Sequence, residues 1–102
     1  MKNIGFVIYR KGNEPGTLLA QWYHSDDGSG TGIAKGEPSE GFAGEYQIRY
    51  FDEQGNVQAA RELVIKKDRE YYQLSWLKDG KITAEGIGQE ISDCLYVGCH
   101  NI

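Results

Sequence analysis

The sequence predicts an all-β fold: a small, antiparallel, up-and-down barrel of eight strands. Apolar residues recur with a period of two rather than 3.6 along most of the chain. Clusters of turn-forming residues interrupt that pattern at short, regular spacing. Glycine supplies 14 of 102 residues, about twice the usual ~7%, with two prolines and no period of three, which excludes a collagen helix.

The predicted strands cover 3–10, 17–25, 30–36, 43–51, 57–65, 70–77, 81–88 and 94–100. The first holds a short apolar stretch, Ile4 to Tyr9, too brief and too interrupted for the core of a signal peptide. In the second, Leu18, Ala20 and Trp22 alternate with Thr17, Leu19 and Gln21. The third is glycine-rich, Gly30-Thr31-Gly32-Ile33. The fourth alternates Tyr46, Ile48 and Tyr50 with Glu45, Gln47 and Arg49. Val57-Gln58-Ala59-Ala60-Arg61 also suits a helix, but the apolar residues that follow, Leu63 and Ile65, favour a fifth strand. The sixth alternates Tyr72, Leu74 and Trp76 with Tyr71, Gln73 and Ser75. Asp79-Gly80, a strong two-residue hairpin signal, leads into the seventh. The eighth alternates Leu95, Val97 and Cys99 with Cys94, Tyr96 and Gly98.

Turns are expected at 11–16, 26–30, 36–41, 52–56, 66–69, 78–81 and 89–93. Connections this short make sequence neighbours pair antiparallel. A meander with one apolar face loses its exposed edges by closing on itself; a two-sheet sandwich is the alternative. Trp22, Gly32, Ile33 and Gly44 recur 54 positions on, as Trp76, Gly86, Ile87 and Gly98, which suggests two four-strand pseudo-repeats. Glycines 32, 44, 86, 88 and 98 fall inside or at the start of strands, where glycine marks a bend or bulge.

One domain over 1–102 is expected at this length. The formal net charge of -4 argues against a nucleic-acid face, and no apolar run approaches a membrane span. Cys94 and Cys99 lie about 16 Å apart along one strand at roughly 3.3 Å per residue and face opposite sides, whereas a disulfide needs Cα atoms within about 7 Å. Two free thiols point to a reducing compartment, most simply the cytoplasm; a secreted chain lacking its leader would carry the same residues.

The stretch Gly44-Glu45-Tyr46-Gln47-Ile48-Arg49-Tyr50, then Leu63-Val64-Ile65, Tyr72-Gln73-Leu74-Ser75-Trp76, Gly86-Ile87-Gly88 and Leu95-Tyr96-Val97-Gly98 resembles small bacterial lipocalin-like barrels of the calycin type. About half the chain carries the likeness well, and the N-terminal half carries it more loosely through Trp22 and Gly30 to Ile33. The lipocalin Gly-x-Trp signature is absent: Trp22 follows Ala20 and Gln21. The resemblance implies a fold and names no ligand.

No motif declares a reaction. Asp26-Asp27-Gly28-Ser29-Gly30-Thr31-Gly32 lacks the Gly-Lys-Ser/Thr and the helix of a phosphate loop, and the later carboxylate of a calcium loop. His24 and His100 lack metal-ligand spacing. A cysteine nucleophile would have Cys99 near His24 across the closed barrel. The acid pairs Glu37/Glu40, Asp52/Glu53 and Glu90/Asp93 sit in expected turns. The aromatics are more informative. Trp22, Tyr46, Tyr50, Tyr72 and Trp76 share parity with Leu18, Ile48 and Leu74, so they face the barrel interior. An eight-stranded barrel is either filled by side chains or holds one small ligand. The expectation is therefore a non-enzymatic binding barrel for a small apolar or aromatic molecule, with no cofactor and no metal. The alternative is a structural or interaction module with a filled core. Its outer aromatics, Tyr9, Tyr23, Phe51, Tyr71 and Tyr96 by parity, would bind a partner or a second copy as a homodimer.

Overall fold

A computed structural model describes residues Met1–Ile102. Eight antiparallel strands run β1 Gly5–Lys11, β2 Thr17–His24, β3 Gly28–Glu40, β4 Ala43–Asp52, β5 Val57–Asp68, β6 Tyr71–Lys78, β7 Lys81–Ile91 and β8 Cys94–Asn101. Each pairs with its sequence neighbour, and β8 returns to β1, so the sheet closes as an up-and-down barrel rather than a sandwich. The architecture is compatible with a calycin-like fold.

Strands of the middle of the chain are longer than the sequence pattern indicates. β3 continues past Gly36, which pairs with Tyr46 inside the ladder, and the reversal comes at Gly41 (φ 58°). β5 continues to Asp68 and β7 to Ile91, leaving tight turns at Arg69 (φ 62°) and at Ser92 and Asp93 (φ 51° and 68°). The mostly polar stretches 36–40, 66–68 and 89–91 look like turn segments because their side chains are mostly exposed, but each stays paired to one neighbouring strand, β4, β6 and β8 respectively, which takes up backbone groups on that side. Asp79 and Gly80 both have positive φ, 52° and 79°, as a two-residue hairpin requires.

The period of two resolves into an inward row on every strand. Val7, Leu18, Ala20, Ala34, Ile48, Leu63, Ile65, Leu74, Leu95 and Val97 form the buried core with the aromatics. Tyr9 belongs to that core and is 0% exposed, contrary to its expected place on the outer face. Parity in residue number applies within one strand; register decides how it carries to the next. Tyr9 pairs with Ala20 and Leu95, both inward.

The strand glycines act less as bends than as space. The register shifts lie at Pro38/Glu40, Tyr50/Phe51 and Trp76/Leu77, none of them at a glycine. A Cβ on Gly32 would stand 2.9 Å from the Tyr50 ring, and one on Gly86 would stand 3.1 Å from the Trp76 indole. These rings take up the space over wall positions that have no side chain. Gly98 is different: it faces outward, and a Cβ there would meet open space. The pseudo-repeat thus places Trp22/Trp76 and Gly32/Gly86 equivalently inside β2/β6 and β3/β7, whereas Gly44 and Gly98 take opposite faces.

A cavity at the mouth of the barrel

The two ends of the barrel differ. At the end where β3 turns into β4, Phe42 follows Gly41 and folds over the lumen, 1% exposed. Its ring meets Tyr72 edge-on at 6.3 Å between centroids. Lys11 Nζ lies 5.5 Å from the ring centroid on the outside, within cation–π range. Tyr46 donates its hydroxyl to the Phe42 carbonyl (2.9 Å), and Tyr72 donates to Glu90 Oε1 (3.0 Å). With Leu18, Ile48, Leu63, Ile65, Leu74 and Leu95 these rings close that end. A separate depression of about 250 Å³ outside it is lined mainly by the β1–β2 loop and Pro38 and Gly41.

At the other end, where β1, β3, β5 and β7 begin, the lumen holds a cavity of about 270 Å³. Trp22, Trp76, Tyr50, Val7, Ala59 and Ala84 give it apolar walls. His24, Asp27, Arg61, Thr83, Cys99 and Asn101 supply its polar rim. The volume is just under the range of about 300–1,000 Å³ typical of small-molecule sites.

A hydrogen-bonded bridge separates this cavity from the packed half. Tyr9 on β1 and Tyr50 on β4 share a bond of 2.5 Å between hydroxyls. Trp76 Nε1 on β6 donates to the Tyr50 hydroxyl at 2.7 Å. Burial pushes both phenols above the ordinary tyrosine range; for Tyr9 the neighbouring Tyr50 adds to this, and for Tyr50 the bonds from Tyr9 and Trp76 partly offset it. Trp22 is anchored differently. Its Nε1 is shared between the carbonyls of Thr31 (3.0 Å) and Phe51 (3.1 Å). It reaches them because Gly30 has no Cβ: one there would stand 2.9 Å from that nitrogen. Trp22 meets Tyr50 edge-on, 6.4 Å between centroids.

The five aromatics expected inside are all inward, but they do not form one site. Trp22, Tyr50 and Trp76 line the cavity, and Tyr46 and Tyr72 belong to the closed end. Val7, Ala59 and Ala84 escape sequence reading as site residues because nothing distinguishes them from core. Arg61 was legible in principle: it has the parity of Leu63 and Ile65, and a charged residue on an apolar row is a signal. Phe42 was equally legible, as a large apolar side chain just after a turn glycine.

Cys99 and His24 do flank one position, since Gly5 pairs with both. Burial pushes the Cys99 thiol up, away from the thiolate a nucleophile needs. His24 Nδ1 accepts the Asp26 backbone N–H (3.1 Å), and its Nε2 faces Asn101 Nδ2 at 3.4 Å. Asn3 ties the rim together, accepting the Asn101 N–H at 2.6 Å and donating to the Asn101 carbonyl at 2.8 Å.

Comparison of the chain with protein-family models, curated proteins and solved structures returned no match. No helix is long and apolar enough to cross a membrane.

Proposed function

We propose that this protein is a non-enzymatic binding barrel that takes one small apolar or aromatic molecule into the mouth cavity. The observation that carries the reading is the division of the lumen. Side chains fill the Phe42 end and stop at the Tyr9–Tyr50–Trp76 bridge, beyond which about 270 Å³ is bounded by two indoles and a phenol. The strand motifs shared with lipocalin-like barrels support the same reading, and membership of that group is part of the proposal. The two free cysteines support a cytoplasmic setting. Titration with a library of one- and two-ring compounds, followed by tryptophan fluorescence, tests the function, because both tryptophans of the chain line the cavity. Quenching or a spectral shift that saturates supports it. An unchanged spectrum across the library refutes it.

A second reading, self-association, rests on one wall. The outward positions of β7, β8, β1 and β2 place Ile87, Gly98, Phe6 and Tyr23 in one row, with Tyr96 and Ile8 in the next. Phe6 and Tyr23 stack at 5.9 Å and are each about half exposed. The outward row of the facing wall is polar, with Lys35, Gln47 and Glu62 in one line. Contiguous exposed apolar surface of this kind marks contact sites. Sedimentation velocity distinguishes the outcomes: a dimer that Phe6→Ser dissolves supports self-association, and a monomer at high concentration excludes it.

A further inference from the structure

The hydrogen-bond inventory of the cavity narrows the ligand class. This step rests on the binding reading above. A tyrosine hydroxyl has one proton to donate and two lone pairs to accept with, whereas an indole N–H only donates. Tyr9 is 0% exposed, and its hydroxyl finds Tyr50 Oη as partner. The Tyr9 proton therefore goes to Tyr50, because a donor left unmade inside the barrel is costly. Trp76 Nε1–H goes to the same oxygen. Both lone pairs of Tyr50 are then engaged while its own proton has no recorded acceptor. Tyr50 lies deep in the barrel yet keeps part of its surface on the cavity, so that proton is available to whatever enters.

The second observation is a cation. Arg61 lines the same cavity, inward on β5 in register with Ile48. Lys67 pairs with Glu40 and Asp27 lies beside His24, and Arg61 has no carboxylate within ion-pair distance. One of its guanidinium N–H groups caps the neighbouring Ala60 carbonyl at 2.8 Å, leaving others of its five donors. Pairing between β5 and β6 begins at Glu62↔Leu77, so Arg61 sits where the wall is bonded on the β4 side alone. Tyr50 pairs with Ala59, which makes Arg61 its diagonal neighbour, about 7–8 Å away at Cα. That is a span which a long guanidinium side chain and a phenol close onto one group. The single carboxylate of the lining, Asp27, lies three strands round the barrel, 3.6 Å from His24 Nδ1.

We infer that the occupant is a small aromatic carboxylate, its ring against Trp22 and Trp76, one oxygen accepting the Tyr50 proton and the anion facing Arg61. The size agrees. A dry cavity of about 150 Å³ holds benzene, so about 270 Å³ holds a substituted ring or two fused rings with the acid group towards β5.

Three probes of one shape test this on the full chain by isothermal titration calorimetry. They are 2-naphthoate, 2-acetylnaphthalene (a neutral acceptor) and 2-ethylnaphthalene (no acceptor). The expected order is naphthoate tightest, by about tenfold over the ketone, as a charge-assisted bond at a partly buried guanidinium allows. The ketone should exceed the hydrocarbon severalfold through Tyr50. Arg61→Gln should erase most of the naphthoate advantage while lowering ketone and hydrocarbon affinity much less, and Arg61→Lys should restore part of the advantage. Equal binding of all three probes, or loss of every probe in Arg61→Gln, overturns the carboxylate inference while leaving the binding barrel standing. Failure of all three to bind the native protein removes both readings together.

Discussion

Replacing Tyr50 by phenylalanine removes a single oxygen from the centre of the barrel and leaves two donors behind. The Tyr9 hydroxyl and the Trp76 indole both lose their acceptor. An unsatisfied buried donor costs about 1–3 kcal/mol, so the two together cost at most about 6 kcal/mol. Trp76 borders the cavity, where water compensates part of its loss, which brings the expected destabilisation to about 2–4 kcal/mol. Tyr9→Phe is milder. It removes a donor and its bond but orphans nothing, since Tyr50 still accepts from Trp76, and the cost is about 1 kcal/mol. The informative variant is the double one. Once Tyr50 is phenylalanine, the Tyr9 proton has no acceptor and only the Trp76 N–H remains beside its oxygen, so Tyr9→Phe in that background should be close to neutral. Urea unfolding of the four proteins measures the cycle, provided their m-values agree. A second loss of about 1 kcal/mol on adding Tyr9→Phe would show that the two hydroxyls act independently, and the bridge, with its uncommitted Tyr50 proton, would fall with that result.

The same phenols set an alkaline limit. The hydroxyls of Tyr9, Tyr46, Tyr50 and Tyr72 and the Cys99 thiol are all raised in the folded protein, chiefly by burial. Their stabilising contribution is complete below the unfolded values, 9.0 for the thiol and 10.0 for the phenols, and is lost as pH rises from there towards the folded ones. Stability should therefore fall steeply above about pH 9–10, with tyrosinate absorbance rising together with the loss of β circular dichroism; phenols that titrate in a still-folded barrel would contradict this. Gly36→Ala should destabilise by more than about 2 kcal/mol, because its Cβ would collide with the Glu45 carbonyl and stand 2.8 Å from the Tyr46 Cα, whereas Gly98→Ala, with nothing near its Cβ, should shift the denaturation midpoint little. Iodoacetamide at neutral pH should label Cys99 more slowly than a free thiol, as mass spectrometry of timed digests will show; faster labelling would restore a nucleophilic role.

Much of the fold was legible because each strand contains its own evidence. The alternation in Leu18–Ala20–Trp22 and in Tyr72–Leu74–Trp76 needs no partner to be recognised, and hairpins such as Asp79–Gly80 force antiparallel neighbours. Strand ends were less legible. Residues 36–40 are polar and contain Pro38, so nothing local distinguishes an exposed ladder extension from a turn. The site was legible as a set of rings and not as a place. Trp22 and Tyr46 have the same inward parity, yet the lumen separates them into opposite ends. The misplacement of Tyr9 has the same origin, because inwardness carries from strand to strand only through register.

Local sequence sets the strand type, the strand order and the alternation of faces within each strand, since those follow from steric periodicity and short turns. Closure decided the rest. Joining β8 to β1 with the observed stagger brought Tyr9, Tyr50 and Trp76 from three strands to one oxygen. It also put Phe42 over one end and left Arg61 beside the open one. These are contacts between residues far apart in the chain, and their geometry is a property of the barrel's circumference rather than of any one segment.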